Sequence, residues 1–209
     1  MKIINHIKNN ISDKNITVLG SGISGQGASN LANYLGANVL LSDNKKNKNI
    51  NLLSKNIKTE FQHSNQCLKS DLVIISPGIN PNNSTIINKI NKLKIPIISD
   101  IEFGFWFTKH PIIAITGSNG KSTVVKMLYD IFKKKYKNIS LGGNIGVSFC
   151  MNVYRELRKN PKELIHILEI SSFQLQNVIG FKPKLACILN ITPDHLERHG
   201  VIFKMHANF

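Results

Sequence analysis

The chain has little that would hold it together covalently or anchor it in a bilayer. Its 209 residues contain three cysteines, Cys67, Cys150 and Cys187, far apart and without a C-x-x-C pair. That excludes a disulfide framework and a cysteine-based zinc site. No apolar run approaches the ~20 residues that span a bilayer. The opening "MKIINHIKNNISDKN" is basic but lacks the continuous apolar stretch of a secretion signal, so a soluble, cytoplasmic protein is expected. Acidic residues are also scarce, 12 against 27 Lys and Arg, for a formal net charge of +15. Such a balance often marks a nucleic-acid binder. Here the excess is lysine, scattered singly or in short runs such as "KKNKN" and "FKKKYK" among many Asn and Ile. Compositional bias with solvated lysine faces accounts for it. Aromatic-plus-basic RNA signatures and zinc-finger spacing are missing too. The expectation is a monomer with neither nucleic acid nor membrane as partner.

What is present is a series of short, continuous apolar runs: "ITVLG" at 16–20, "NVLLSD" at 38–43, "DLVIISPG" at 71–78 and "IPIISD" at 95–100. Continuous rather than alternating runs predict strands buried on both faces, as in a parallel sheet covered by helices. Between the first two lies "SGQGASNLANYLG", with Ala28, Leu31, Ala32 and Leu35 at helical spacing and Gly36 as a C-terminal stop. That is a βαβ unit. The pattern restarts after "FGFWFTKHP", with strands at "IIAIT" (112–116), "NISLGG", "LIHILEI" (164–170) and "KLACILNI" (184–191) and a helix over 120–135. The fold class is α/β: a Rossmann-like parallel-sheet domain over 1–108, then the first part of a P-loop-type ATP-binding α/β domain over 109–209. Pro111 and the aromatic cluster Phe103, Phe105, Trp106 and Phe107 mark the expected seam. A further helix is expected at "VIFKMHANF".

Two glycine loops follow strands. In "AITGSNGKSTVV" (114–125), a full Walker A spacing would put a glycine at Ile115, so the loop is tighter than G-x-x-x-x-G-K-[ST]. A strand running into Gly117, Ser118, Asn119 and Gly120 and then a helix aims backbone N–H groups and a helix dipole at one point, where an anion fits. Lys121 adds a cation, and Ser122 or Thr123 a hydroxyl for Mg²⁺. The other loop, Gly20-Ser21-Gly22-Ile23-Ser24-Gly25, matches G-x-G-x-x-G, with Asp43 ending the next strand. It suits a dinucleotide or any ribose-bearing diphosphate, and Asp43 either bonds the ribose or base or caps the following loop.

These loops, with "SPGI" at 76–79, "SDIEF" at 99–103, "GGNIG" at 142–146, "LEISSFQL" at 168–175 and "LNITPDHLERHG" at 189–200, resemble the Mur ligase family over nearly the whole chain. The "SSFQL" and "GSNGKST" strings point to its D-glutamate-adding branch. The resemblance implies an enzyme of peptidoglycan synthesis that uses ATP and Mg²⁺ to join D-glutamate to UDP-N-acetylmuramoyl-L-alanine through an acyl phosphate. By resemblance, Lys121, Glu169 and His195 are catalytic, and Ser122, Glu169 and His195 hold or position the metal. Residues Gly117 to Thr123 bind ATP. Asn144, Ser171 and Gln174 face the substrate, and Ile23, Ser24, Asp43, Asn44 and Gly78 hold its uridine diphosphate end. Asn190 and Asp194 match the motif as well, or fix the loop by bonding its backbone. Ile170 stands where Leu is usual and Pro193 where an acidic residue is common. A modified lysine of the family, the adenine contacts and a third domain are expected beyond Phe209, so the 209-residue chain is expected to be inactive alone and to expose a sheet edge. Three alternatives stay open. A Rossmann NAD(P) module of a dehydrogenase or sensor would leave Lys121, Glu169 and His195 idle. A P-loop kinase or GTPase would want an aspartate where "LIHILE" ends in Glu169. The third is a sister ligase, including one that adds glutamate to folate.

Overall fold

Five short runs become the strands of a first sheet: β1 (Asn15–Leu19), β2 (Asn38–Asp43), β3 (Lys58–Phe61), β4 (Leu72–Ile75) and β5 (Ile97–Ser99). The computed structural model describes residues 2–46, 50, 53–81 and 84–192. Helix α1 (Lys2–Asn9) precedes the sheet, and α2 (Ile23–Tyr34), α3 (Thr85–Lys92) and a 3-10 turn at Asn65–Lys69 connect its strands. The order is β3-β2-β1-β4-β5, with every pairing parallel. All four residues of β4 and the last four of β1 are buried, as strands covered on both faces must be. The helix α2 stops as its residues predict, with Leu35 as C-cap and Gly36 following at φ 89°.

After α4 (Asp100–Phe107) a second parallel sheet forms from β6 (Ile112–Thr116), β7 (Ile139–Gly143), β8 (Ile165–Glu169) and β9 (Leu185–Ile188), in the order β7-β8-β6-β9. Helices α5 (Lys121–Lys133), α6 (Phe149–Lys159) and α7 (Ser172–Leu175) complete it. Strand β6, which feeds the short glycine loop, lies between β8 and β9 and so in the middle of the sheet. Among the described residues, the outer edge of β9 has no partner, and Leu185 and Ile188 on it are exposed. The helix expected at "VIFKMHANF" lies outside the described residues.

The aromatic cluster read as a seam is a helix between the sheets. Asp100, Ile101, Glu102, Phe103, Gly104 and Trp106 of α4 are buried, and apolar residues around the whole helix leave no 3.6-residue stripe to read. One apolar cluster runs from Val18 of β1 and Leu31 of α2 to Phe149 of α6 and to Leu168 and Ile170 at the end of β8. Two glycines admit α6 into this junction. A Cβ on Gly27 of α2 would lie 1.9 Å from Ser148 Oγ, and one on Gly104 of α4 would lie 2.7 Å from Phe149 Cδ1. The Ser148 and Phe149 side chains occupy the space that a Cβ on either glycine would need.

Candidate functional site

The short loop is held from one side. Gly117 has φ 138° and Gly120, the N-cap of α5, has φ 82°, conformations that L side chains resist. Ile115, where a longer loop would have its first glycine, is inside β6 and pairs with Glu169 and Cys187. Asn190 fixes the loop backbone by accepting the Asn119 N–H on Oδ1 at 2.9 Å and donating from Nδ2 to Asn119 O at 3.0 Å. The Ser118 hydroxyl donates to Thr192 O and accepts the Thr192 N–H, each at 2.9 Å. Lys121 Nζ folds back onto the carbonyls of Gly117 at 2.6 Å and Ser118 at 2.8 Å.

Glu169, at the C-terminal end of β8, is 2% exposed. Its Oε2 accepts the Ser122 hydroxyl at 2.6 Å and its Oε1 the Asn144 amide at 2.8 Å, so strand end, helix start and the "GGNIG" loop converge on one carboxylate. Gly143 permits this: at φ 101°, a Cβ there would sit 2.2 Å from Glu169 O. Glu169 does not cap "SSFQ"; Ser171 does, in a reciprocal capping box with Gln174. Among the described residues, no three His, Cys, Asp or Glu cluster as a metal cage. One carboxylate with one hydroxyl suits Mg²⁺, which keeps several waters and takes phosphate oxygens as its other ligands. His195 and Asp194 lie outside the described residues.

In the first sheet, Gly25 is packed so tightly that a Cβ would fall 1.8 Å from Gly20 O, while Gly22 and Gly78 face open space. Ile23 is exposed, Ser24 half-buried and Asn44 exposed. Asp43 caps the loop that follows it and is also tied back to the glycine loop. Its Oδ2 accepts both the backbone N–H and the hydroxyl of Ser21 at 2.6 Å, binding the second strand to the glycine loop, and Oδ1 accepts the Lys45 N–H at 3.3 Å. Burial alone would raise its carboxyl, but these hydrogen bonds outweigh it and hold the value below the usual range.

Sequence reasoning overlooked two carboxylates of "SDIEF" as site residues. Asp100 is fully buried and pushed up to about 6 by that burial, against the hydrogen bonds of Ser24 and of Gln174 Nε2, the latter at 3.3 and 3.4 Å. It therefore links the glycine loop of the first sheet to the capping box that follows Glu169. Glu102 accepts the backbone N–H groups of Ile179, Gly180 and Phe181 and the Trp106 indole, at 2.7 to 3.1 Å. The motif's presence was the only signal; nothing in its spacing said that both side chains turn inward.

Serine caps the N-termini of α3, α4, α6 and α7, through Ser84, Ser99, Ser148 and Ser171. The two helices that follow glycine loops have none: Gly22 precedes α2 and Gly120 precedes α5 without a side-chain hydrogen bond. Their first-turn N–H groups stay available to an anion.

Residues 115–207 match the Mur ligase middle domain. A UDP-N-acetylmuramoylalanine–D-glutamate ligase of Bacteroides fragilis is 40% identical over 200 residues, 93% of this chain and 44% of that protein. The enzyme of that name from Bacteroides thetaiotaomicron is 42% identical over 191 residues, 89% of this chain and 42% of that protein. The chain thus spans less than half the length of these curated relatives. Among solved structures, the UDP-N-acetylmuramate–alanine ligase of Thermotoga maritima shares the fold, with a TM-score of 0.58 at 21% identity over 93% of this chain and 46% of that one. Similarity to these ligases runs through both sheets, and from the central strand of the second onward, over residues 115–207, the chain matches the Mur ligase middle domain.

Proposed function

We propose that the chain carries the nucleotide-sugar and ATP sites of a cytoplasmic ligase that joins D-glutamate to UDP-N-acetylmuramoyl-L-alanine. The observation that carries this reading is the pair of uncapped helix starts, each behind a glycine loop at the C-terminal edge of a parallel sheet. A triphosphate and a nucleoside diphosphate are the two anions such a pair would hold. The names of the relatives supply the rest.

In this reading residues 1–108 hold the uridine diphosphate end through Ile23, Ser24, Asn44 and Gly78, with Asp43 fixing the loop. Residues 109–209 hold ATP. Mg²⁺-ATP, when bound, supplies the phosphoryl group that activates the substrate's alanyl carboxylate. The chain's own residues neutralise and align. Lys121 exchanges the two loop carbonyls for phosphate oxygens, so its charge stands between two anions that would otherwise repel. The buried Glu169 and the Ser122 hydroxyl hold the metal, joined by His195. Asn144 fixes Glu169, and Ser171 presents the substrate side, held by Gln174, which is buried between it and Asp100.

Thermal-shift titration of the protein tests the reading. UDP-N-acetylmuramoyl-L-alanine is expected to raise the melting temperature and NADH to leave it unchanged. Lys121→Ala is expected to abolish the shift given by Mg²⁺-ATP while preserving that of the UDP-sugar. Stabilisation by NADH alone would overturn the proposal.

A further inference from the structure

The order of the first sheet sets three chemically different strand ends side by side. β1 runs into the glycine loop, its neighbour β2 ends in Asp43, and β3, outboard of β2, runs into Gln62 and His63. In a doubly wound sheet a nucleotide lies across the carboxyl ends of the strands, phosphates on the first loop and ribose near the acidic end of the second. A base laid along the same line falls at the end of β3.

That corner is built with strain. Gln62 and His63 have φ of 89° and 47°, two successive non-glycine residues in the left-handed region, where cost is tolerated chiefly at functional positions. The Gln62 N–H donates to Asp43 O at 2.7 Å, and His63 Nδ1 lies 2.8 Å from Ser42 Oγ. Glu60 settles where the protons are. Although burial opposes it, hydrogen bonds from Ser64, Cys67 and Ser42 hold its carboxyl below the usual range, so it is ionised and only accepts. The one hydroxyl proton of Ser42 goes to Glu60 Oε1 at 2.8 Å. Ser42 Oγ can then only accept from the imidazole, which places a proton on Nδ1 and leaves Nε2 bare. Among the described residues no bond to Nε2 is formed, and the ring is half-buried.

We propose that His63 Nε2 accepts the imide N3–H of a uracil base and thereby makes the first sheet selective for uridine over cytidine nucleotides, since the N3 of cytosine carries no proton. The inference rests on reading the first sheet as a UDP-sugar site. Burial also keeps the imidazole below its ordinary range, outweighing the pull of Asp43 and Glu60, so Nε2 remains an acceptor at neutral pH.

Calorimetric titration with UDP and CDP tests it on the wild type and on His63→Asn, a replacement that tolerates left-handed φ. The wild type is expected to prefer UDP by about tenfold, in line with one hydrogen bond. His63→Asn is expected to lose that preference by weakening UDP alone. Independently of any ligand, ¹⁵N NMR of the wild-type imidazole is expected to show the proton on Nδ1. A variant that keeps the preference, or a proton found on Nε2, overturns the inference and leaves the UDP-sugar reading standing. A wild type that binds neither UDP nor UDP-N-acetylmuramoyl-L-alanine overturns that reading and the inference with it.

Discussion

Single residues carry the chemistry through what they are prevented from doing. Among the described residues Lys121 pairs with no carboxylate; its ammonium rests on two carbonyls of its own loop. Under the proposed reading, phosphate binding would be an exchange of partners for that ammonium. Glu169 is buried with both oxygens engaged, so its charge is available only to something that displaces Ser122 or Asn144 or shares them. Glu169→Gln is expected to weaken Mg²⁺-dependent ATP binding by at least tenfold, ~1.4 kcal/mol or more, while nucleotide binding without the metal changes little. Titration with and without Mg²⁺ measures both. Loop glycines are as restrictive. At Gly117, φ 138° is combined with a Cβ position 3.0 Å from Asn190 O, so Gly117→Ala is expected to cost ~1–3 kcal/mol in denaturant unfolding and to loosen the phosphate loop.

At the scale of elements, glycine has the opposite sign from its reputation. Replacing a helical glycine by alanine ordinarily stabilises by ~1 kcal/mol. Gly27 is the meeting point of α2 and α6, so Gly27→Ala is expected to destabilise by ~1–3 kcal/mol through overpacking against Ser148. Ser148→Gly on that background is expected to recover part of the loss, because glycine is a tolerable N-cap. Equilibrium unfolding of the single and double variants decides it. What the sequence made legible follows the same physics. Buried parallel strands such as "LVII" announce themselves by continuous apolar runs. "KTEF" of β3 is half-exposed and polar at an edge, and nothing in it stands out. "DIEFGFWF" hides its helical period because it is buried all round. In the candidate site, Lys121 and Ser122 could be placed from strand–loop–helix order, and Glu169 only through the family resemblance. The roles of Asp100, Glu60 and His63 could not, since they depend on which side chains from distant strands meet.

For the whole molecule, two buried carboxylates near the junction set opposing pH dependences. Glu156 of α6 resists burial through hydrogen bonds from His166, His110 and Thr108, which draw its value down to about 2. Its folded value is lowered, so its contribution is complete above the ordinary glutamate value near 4.5 and is lost as pH falls toward 2. Asp100 has the reverse sign: raised to about 6, it contributes most below the ordinary value of 3.8 and its contribution is lost as pH rises through 6. Unfolding free energies measured across pH are expected to show an acid limb that Glu156→Gln flattens. Asp100→Asn is expected to flatten the decline between pH 4 and 6 set by the Asp100 shift.

The apolar cluster that joins Val18 and Leu31 to Phe149 and Leu168 bears on how this chain loses its structure. Neither sheet can melt without stripping the other of part of its interior, so the two α/β units share one cooperative transition. Differential scanning calorimetry is expected to give one endotherm whose van't Hoff and calorimetric enthalpies agree. The position of each glycine loop is then secured by the stability of both sheets together.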